Sequence, residues 1–490
     1  MTRKKGTLLP YFFISLILLF TLSSCSDYSS SHKGFSKLEQ IKSEGELKVL
    51  TRYSPTTYYE TPEGKKGLEY ELATLFAKHL NVRVKFIIPS TFNDVIGQIS
   101  ENKADIAAAG LTITEQRQQQ VRFGAAYQSI TEQIIYRSDT KRPKDVSDLQ
   151  HGILEITHGT SYLESLTKIQ SKHPDLNWNV NSDQTTNGLM YLVNEGLIDY
   201  TIADSHQARR IKRFYPKLSI AFDISDERKL AWALALSDDN SLYDEVEHFF
   251  SKIQKDKTLD HLLDKYYGNA DNLTYVGNCT FRQHIKSRLI DYEPFFREQE
   301  KIHAIDWRLL AAIGYQESHW LSDAISPTGV KGLMMLTRAT AKQVGIADRT
   351  DPQQSIIGGA LYFKEMLSIM TENIPEPDRT WLALASYNIG FGHLNDARML
   401  TKKRNGNPNK WLDVKKSLPL LSEEKWYKQT KYGYARGGEP VRYVENIRSY
   451  FDLSVWLTEE NKIEKKVMTI KPEKSKFAEN EVLDFKSPVL

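Results

Sequence analysis

Glu317 stands in the stretch GYQESHW, Gly314–Trp320, between an apolar run with helical spacing and a loop containing Pro and Gly. A lone carboxylate can donate a proton near neutral pH only if its pKa is raised. Asp306 is placed to cap a helix starting at Trp307, with Leu309, Leu310, Ile313 and Gly314 at core spacing, so Glu317 falls in the last turn. There the helix dipole disfavours a negative charge, and Tyr315 and Trp320 supply apolar surface that desolvates it. Position alone favours a hydrated helix-end glutamate, so the decision rests on the company it keeps.

That company begins with ESHWLSDAISPTGVKGLMML, where a turn after the acid leads to Gly329, Gly332 and the methionines Met334 and Met335. Glycines and methionines in this order suit either a groove wall or ordinary core packing. Farther on, LALASYNIGFGHL carries Tyr387 and Asn388 at the end of a second helix that Gly390 and Gly392 stop, and EPVRYVENI carries Tyr443 at the start of a third. Tyr and Asn at helix ends can offer stacking and amide contacts to an N-acetylated sugar. Asp323 is the nearest possible second carboxylate, in a loop.

A different chemistry is suggested by ADIAAAGLTITEQRQQQVRFGAAY, residues 104–127. A strand ending in small residues admits a ligand to the backbone, Thr112 offers a hydroxyl, and Arg117 a planar fork matched to a carboxylate. Exposed surface is the ordinary place for such an arginine. No C-x-x-C, H-E-x-x-H or phosphate-loop spacing occurs, so neither a metal nor an organic cofactor is expected.

These groups need two kinds of scaffold. The chain has 490 residues with 40% hydrophobic and 26% charged content, which indicates a soluble globular protein of more than one domain. From 45 to 269, short β-branched runs (ELKVLTRY, VRVKFIIP, ADIAAAG, QIIYRS, HGILEI, DYTIADS) alternate with amphipathic helical patterns, predicting an α/β domain. From 270 to 457 the β pattern disappears and helices dominate, predicting an all-α domain. Residues 458–490 are charged and lack apolar periodicity, as in a disordered tail.

The N-terminus is a separate matter. Arg3, Lys4 and Lys5 precede the apolar run LLPYFFISLILLFTL, then Ser23, Ser24 and Cys25, the pattern of an export signal over 1–24. LSSC at 22–25 resembles a bacterial lipobox, which implies acylation of Cys25, a polar tether over 25–44 and, with Ser26 rather than Asp next, the periplasmic face of the outer membrane. A lipidated Cys25 leaves Cys279 without a disulfide partner. Removing the three basic residues takes the formal charge from +3 to 3 − 3 = 0, so no basic bias argues for nucleic acid.

Two family resemblances organise these readings. GLEYELATLFAKHL, the 104–127 segment, HGTSYLESL and GLIDYTIADS together resemble the family 3 extracellular solute-binding proteins, two-lobed amino-acid binders. The resemblance implies backbone and hydroxyl contacts from Gly110 and Thr112, a ligand carboxylate on Arg117, donors from Thr160 and Ser161 at a helix start, and the ligand ammonium on Asp204. VRFGAAY departs from the usual Phe-Ser-x-Pro-Tyr, and His151 and His158 stand where these binders vary, so a cell-wall peptide competes with a free amino acid as ligand.

Glu-Ser, Gly-Leu-Met, Tyr-Asn and a late Tyr, in that order over about 290–457, resemble the lysozyme-like domain of family 1 lytic transglycosylases. This implies peptidoglycan as substrate, Glu317 as acid and then base, and Ser326, Met334, Tyr387, Asn388 and Tyr443 along the saccharide groove. Met335 replaces the family's glutamine, and Ser386 the alanine before Tyr387. The competing expectations are a murein-binding sensor without catalysis and a hydrolysing lysozyme that uses Asp323.

Overall fold

A computed structural model describes residues 35–61, 64–268 and 275–469. The expected signal peptide, Cys25 and the last part of the tail, 470–490, lie outside the described residues. Among the described residues no helix is long and apolar enough to cross a membrane.

The α/β half has two lobes, each built on a five-stranded sheet. In the first, the strands run in the order Arg83–Ile87, Glu46–Leu50, Ile106–Thr112, Arg228–Ala235, Val121–Ile130. The first three are parallel and Arg228–Ala235 is antiparallel to both its neighbours. Helix Leu68–Leu80 and helix Ser241–Lys255 cover this sheet through Phe76, Phe249 and Phe250, which surround the fully buried Trp232. The second lobe orders its strands Leu218–Asp223, Glu132–Arg137, Tyr200–Asp204, Leu154–Thr157, Asn179–Asn181. The chain passes between the lobes twice, at Thr131 and again between Asp223 and Arg228, so their facing edges form a cleft.

The expected tether is partly folded. Ser36 and Glu39 form a capping box, Ser36 Oγ accepting from Glu39 N and the Glu39 carboxylate accepting from Ser36 N, at the start of helix Lys37–Glu44. That helix buries Ile41 in the first lobe, and Lys37 pairs with Asp105 at 2.7 Å. The helical pattern over 240–268 forms two helices, because Lys257 adopts φ +63° between Ser241–Lys255 and Thr258–Tyr267. Helix Gly438–Thr469 likewise extends past 457 into the expected tail.

The C-terminal half is helical, as the pattern predicted, and shares a core with the second lobe. Leu189, Met190, Ile211 and Phe214 belong to the same buried cluster as Phe281, Leu310, Ile313 and Trp456. The Phe214 and Tyr215 rings lie 5.5 and 5.7 Å from Trp456. Asp264 of the first lobe takes Lys415 Nζ at 2.5 Å and Arg448 Nη1 at 3.3 Å from the helical domain.

Candidate active site and ligand cleft

Helix Trp307–Ser318 is capped as expected, Asp306 Oδ1 accepting from Arg308 N at 2.8 Å. Its core face is buried continuously from Leu309 to Tyr315. The next turn leaves the helix at His319 and Trp320, both with positive φ, and the Trp320 indole donates to Ala311 O at 2.8 Å. That indole pins the end of the helix, where Glu317 stands half-buried.

Gly-Leu-Met acts through backbone and packing. Gly332 has φ +97°, and a Cβ there would stand 2.0 Å from Arg349 O, so only glycine fits. The Met334 side chain is wedged between two helices. A Cβ on Gly314 would meet Met334 Sδ at 3.1 Å, and one on Gly359 would meet Met334 Cε at 2.6 Å. Met334 is 0% exposed, which corrects the expectation that its side chain lines the groove. What it presents is backbone: its N–H donates to Ser355 Oγ at 3.0 Å and its carbonyl accepts from Tyr387 Oη at 3.2 Å. Met335, at φ +49°, carries the partly exposed side chain at this corner.

Tyr443 Oη donates to Glu317 Oε1 at 2.6 Å, the one hydrogen bond that the carboxylate makes among the described residues. Tyr387 and Tyr443 stack at 6.4 Å with planes 16° apart, and Tyr362, which the sequence reading did not single out, packs on Tyr387 at 5.0 Å. Burial pushes the Glu317 carboxyl up to about 7, and the bond from Tyr443 acts in the opposite sense. No acidic side chain is among the groups acting on it, and Asp323 is exposed in its loop. Asn388 is exposed at the end of helix Asp378–Ile389, where Gly390 at φ +85° stops the helix. Ser326 is held in its loop, accepting from Val330 N at 3.0 Å and facing Thr328 Oγ1 at 3.1 Å. Ser386 is fully buried with Oγ 3.0 Å from Met366 Sδ, so this departure sits in the core, away from the groove.

The six residues expected to hold a ligand in the α/β half surround one small cleft between the lobes, joined by Arg52, Phe92 and Tyr162. Arg117 is buried and donates to Thr112 O and Gly159 O, both at 2.9 Å, bridging the two lobes. Thr114 Oγ1 donates across the same gap to Glu164 at 2.9 Å. Several expected ligand donors are already engaged: Gly110 N on Glu69 at 2.8 Å, Thr160 Oγ1 on Thr157 O at 2.7 Å, Ser161 Oγ on Glu132 at 2.7 Å. Burial and the neighbouring Glu132 raise the Asp204 carboxyl to about 6, against the lowering influence of Arg52, Tyr162 and Arg117. The closed lobes leave about 10 Å³ of free space, enough for roughly one water, so a ligand enters only if they part.

Residues 47–269 match the bacterial extracellular solute-binding proteins, family 3, and 294–410 match the transglycosylase SLT domain. A membrane-bound lytic murein transglycosylase F from Pseudomonas fluorescens is 46% identical over 443 residues, 90% of each chain. The chain belongs to this family. Another of its members, from Alkalilimnicola ehrlichii, is 44% identical over 86% of each chain. Among solved structures, a P235GK mutant of ArgBP from T. maritima aligns with 47% of this chain and 99% of its own, at 25% identity and TM-score 0.43. A cysteine-binding protein from Campylobacter jejuni aligns with 49% and 98%, at 20% identity and TM-score 0.44. In this relative of the lytic murein transglycosylases F, Glu317 lies in the part matched by the SLT domain and the two-lobed cleft in the part matched by the solute-binding family.

Proposed function

We propose that the chain is a lytic transglycosylase that cleaves peptidoglycan between N-acetylmuramic acid and N-acetylglucosamine. Family membership supports this reading, and the observation that carries it is Glu317: a carboxyl raised to about 7 by burial, with a tyrosine as its hydrogen-bond partner. Protonated Glu317 donates to the glycosidic oxygen as the bond from C1 breaks, and the substrate's N-acetyl carbonyl stabilises the cationic carbon. The resulting carboxylate takes the proton of the muramoyl C6 hydroxyl, whose oxygen closes on C1 to give a 1,6-anhydro end. An intramolecular hydroxyl has a high effective concentration, so the second carboxylate of ordinary glycosidases is unnecessary. Tyr387 and Tyr443 offer aromatic faces and Asn388 an amide to the sugar, with Ser326 in the adjoining loop and the Met334 backbone behind Tyr387. Purified peptidoglycan incubated with Glu317→Gln should release soluble fragments about 10²–10⁴-fold more slowly, from a protein of unchanged fold; release at the parent's rate contradicts the reading.

The same proposal extends to the rest of the chain, divided into a signal over 1–24, a solute-binding-like domain that ends near 269 and a transglycosylase domain from 270. Relatives are named membrane-bound, and acylation of Cys25 would anchor the enzyme on the periplasmic face of the outer membrane, within reach of the wall. Cys25→Ser should move it from the membrane to the soluble fraction. The cleft binds an amino acid or a cell-wall peptide, with Arg117 on the carboxylate and Asp204 on the ammonium.

A further inference from the structure

The chain just past Asn388 carries an aromatic face that the sequence reading did not single out. Gly390 stops helix Asp378–Ile389 and Phe391 opens helix Phe391–Lys403. The ring of Tyr432 lies against the backbone at this corner, since a Cβ on Gly392 would meet its ring atoms at 3.0–3.1 Å. Tyr432 is nevertheless 52% exposed, Tyr434 58% and Phe391 37%. Gly392 is four residues from Asn388, so at most about 14 Å of chain separates the amide proposed for the sugar from this aromatic corner.

Exposed tyrosines are ordinary on a loose loop, but this loop is held. The buried carboxylate of Asp396 accepts from Lys431 N at 3.1 Å and from Tyr432 N at 2.8 Å. Gly433 follows at φ +80°, and Ala435 N donates to Leu421 O at 3.0 Å. Tyr427 braces Tyr434 edge-on, with ring centroids 5.7 Å apart and planes at 89°. Much of the two rings remains in water, so apolar burial does not account for fixing them. A ring already held in place loses little freedom on binding, and its free surface suits the C–H face of a sugar. Lys431 Nζ stands 5.4 Å from the Tyr432 centroid and puts a cation beside that surface.

We infer that Tyr432, with Tyr434 two residues on, forms a further saccharide subsite that stacks on a sugar of the glycan strand outside the pair cleaved at Glu317. Lys431 there faces the lactyl carboxylate that N-acetylmuramic acid carries. This rests on the reading of the helical domain as a peptidoglycan-cleaving enzyme. The test is calorimetric titration of the full chain with peptide-free glycan strands of four and of eight sugars, in the Glu317→Gln background so that no strand is consumed. The eight-sugar strand should bind about three- to tenfold more tightly, the effect of one stacked ring. Tyr432→Ala should bring its affinity down to that of the four-sugar strand, and Tyr432→Phe, which keeps the ring, should retain the gain. Equal affinity for the two lengths, a gain that survives Tyr432→Ala, or an equal loss on both strands would overturn the inference. Strands bound with the expected length dependence by a chain whose parent leaves peptidoglycan uncut would keep the subsite and overturn the transglycosylase reading. Neither strand bound, by a chain whose parent does cut peptidoglycan, would overturn the subsite alone.

Discussion

Among the described residues burial raises the carboxyl of Glu317 to about 7 and that of Asp204 to about 6, and the two differ in what surrounds them. Among the described residues the groups acting on Glu317 are its burial and the Tyr443 hydroxyl, with no cation among them, so burial prevails and it holds a proton near neutral pH. Asp204 has Arg52 and Arg117 around its cleft, so its charge is wanted once a ligand ammonium arrives. In the roles proposed for them, the same residue chemistry serves as a proton donor in one place and a counter-ion in the other, and the guanidiniums near Asp204 make the difference.

Neutralising each acid with its amide separates the two roles. Glu317→Gln should lower the rate of peptidoglycan cleavage by about 10²–10⁴-fold, the range for a lost general acid and base, measured as soluble fragments released per unit time. A smaller but clear loss belongs to the cleft. Arg117→Ala removes a charge-assisted contact worth about 1.5–3 kcal/mol, and should weaken ligand binding by roughly 10–100-fold in a calorimetric titration.

Tyr443→Phe tests the isolation of Glu317 itself. The Tyr443 hydroxyl donates to the carboxylate and favours its ionised form, so its loss should raise the Glu317 pKa further. The alkaline limb of the pH–rate profile then moves to higher pH, with the rate at the optimum down about tenfold. A limb that stays in place would mean that this contact does not set the proton affinity.

The smallest effect is on stability, and its sign is opposite to that on activity. Glu317 has a folded pKa near 7 against 4.5 for an unperturbed glutamate, so the native state binds the extra proton and loses stability as pH rises from about 5 to 7. Glu317→Gln should therefore melt above the parent at pH 8, by on the order of 1 kcal/mol, and the gap should close by pH 5. Asp204, raised from 3.8 to about 6, should shift stability in the same direction when changed to Asn.

Much of this was legible in the sequence. The helix before Glu317 announces itself through its Asp306 cap and apolar spacing, and Gly332 marks a backbone that no other residue fits. Ser36 and Glu39 stood at capping-box spacing, yet helix Lys37–Glu44 was read as tether because its polar composition offers only Ile41 to the core. The break at Lys257 had no glycine or proline to mark it. Met334 was misplaced because Gly-Leu-Met does not say which methionine turns inward. Gly314 and Gly359, far apart in the chain, clear the space that takes it. Arg52 reaches the cleft, and Glu69 the Gly110 backbone behind it, only through the meeting of distant strands and helices, which no local pattern records.

The central claim is that one carboxyl suffices because the substrate attacks itself. Mass spectrometry of fragments released from purified peptidoglycan in isotopically heavy water tests it directly. The account predicts fragments one water lighter than those with reducing ends, carrying no label from the solvent; reducing ends that carry the heavy oxygen would contradict it.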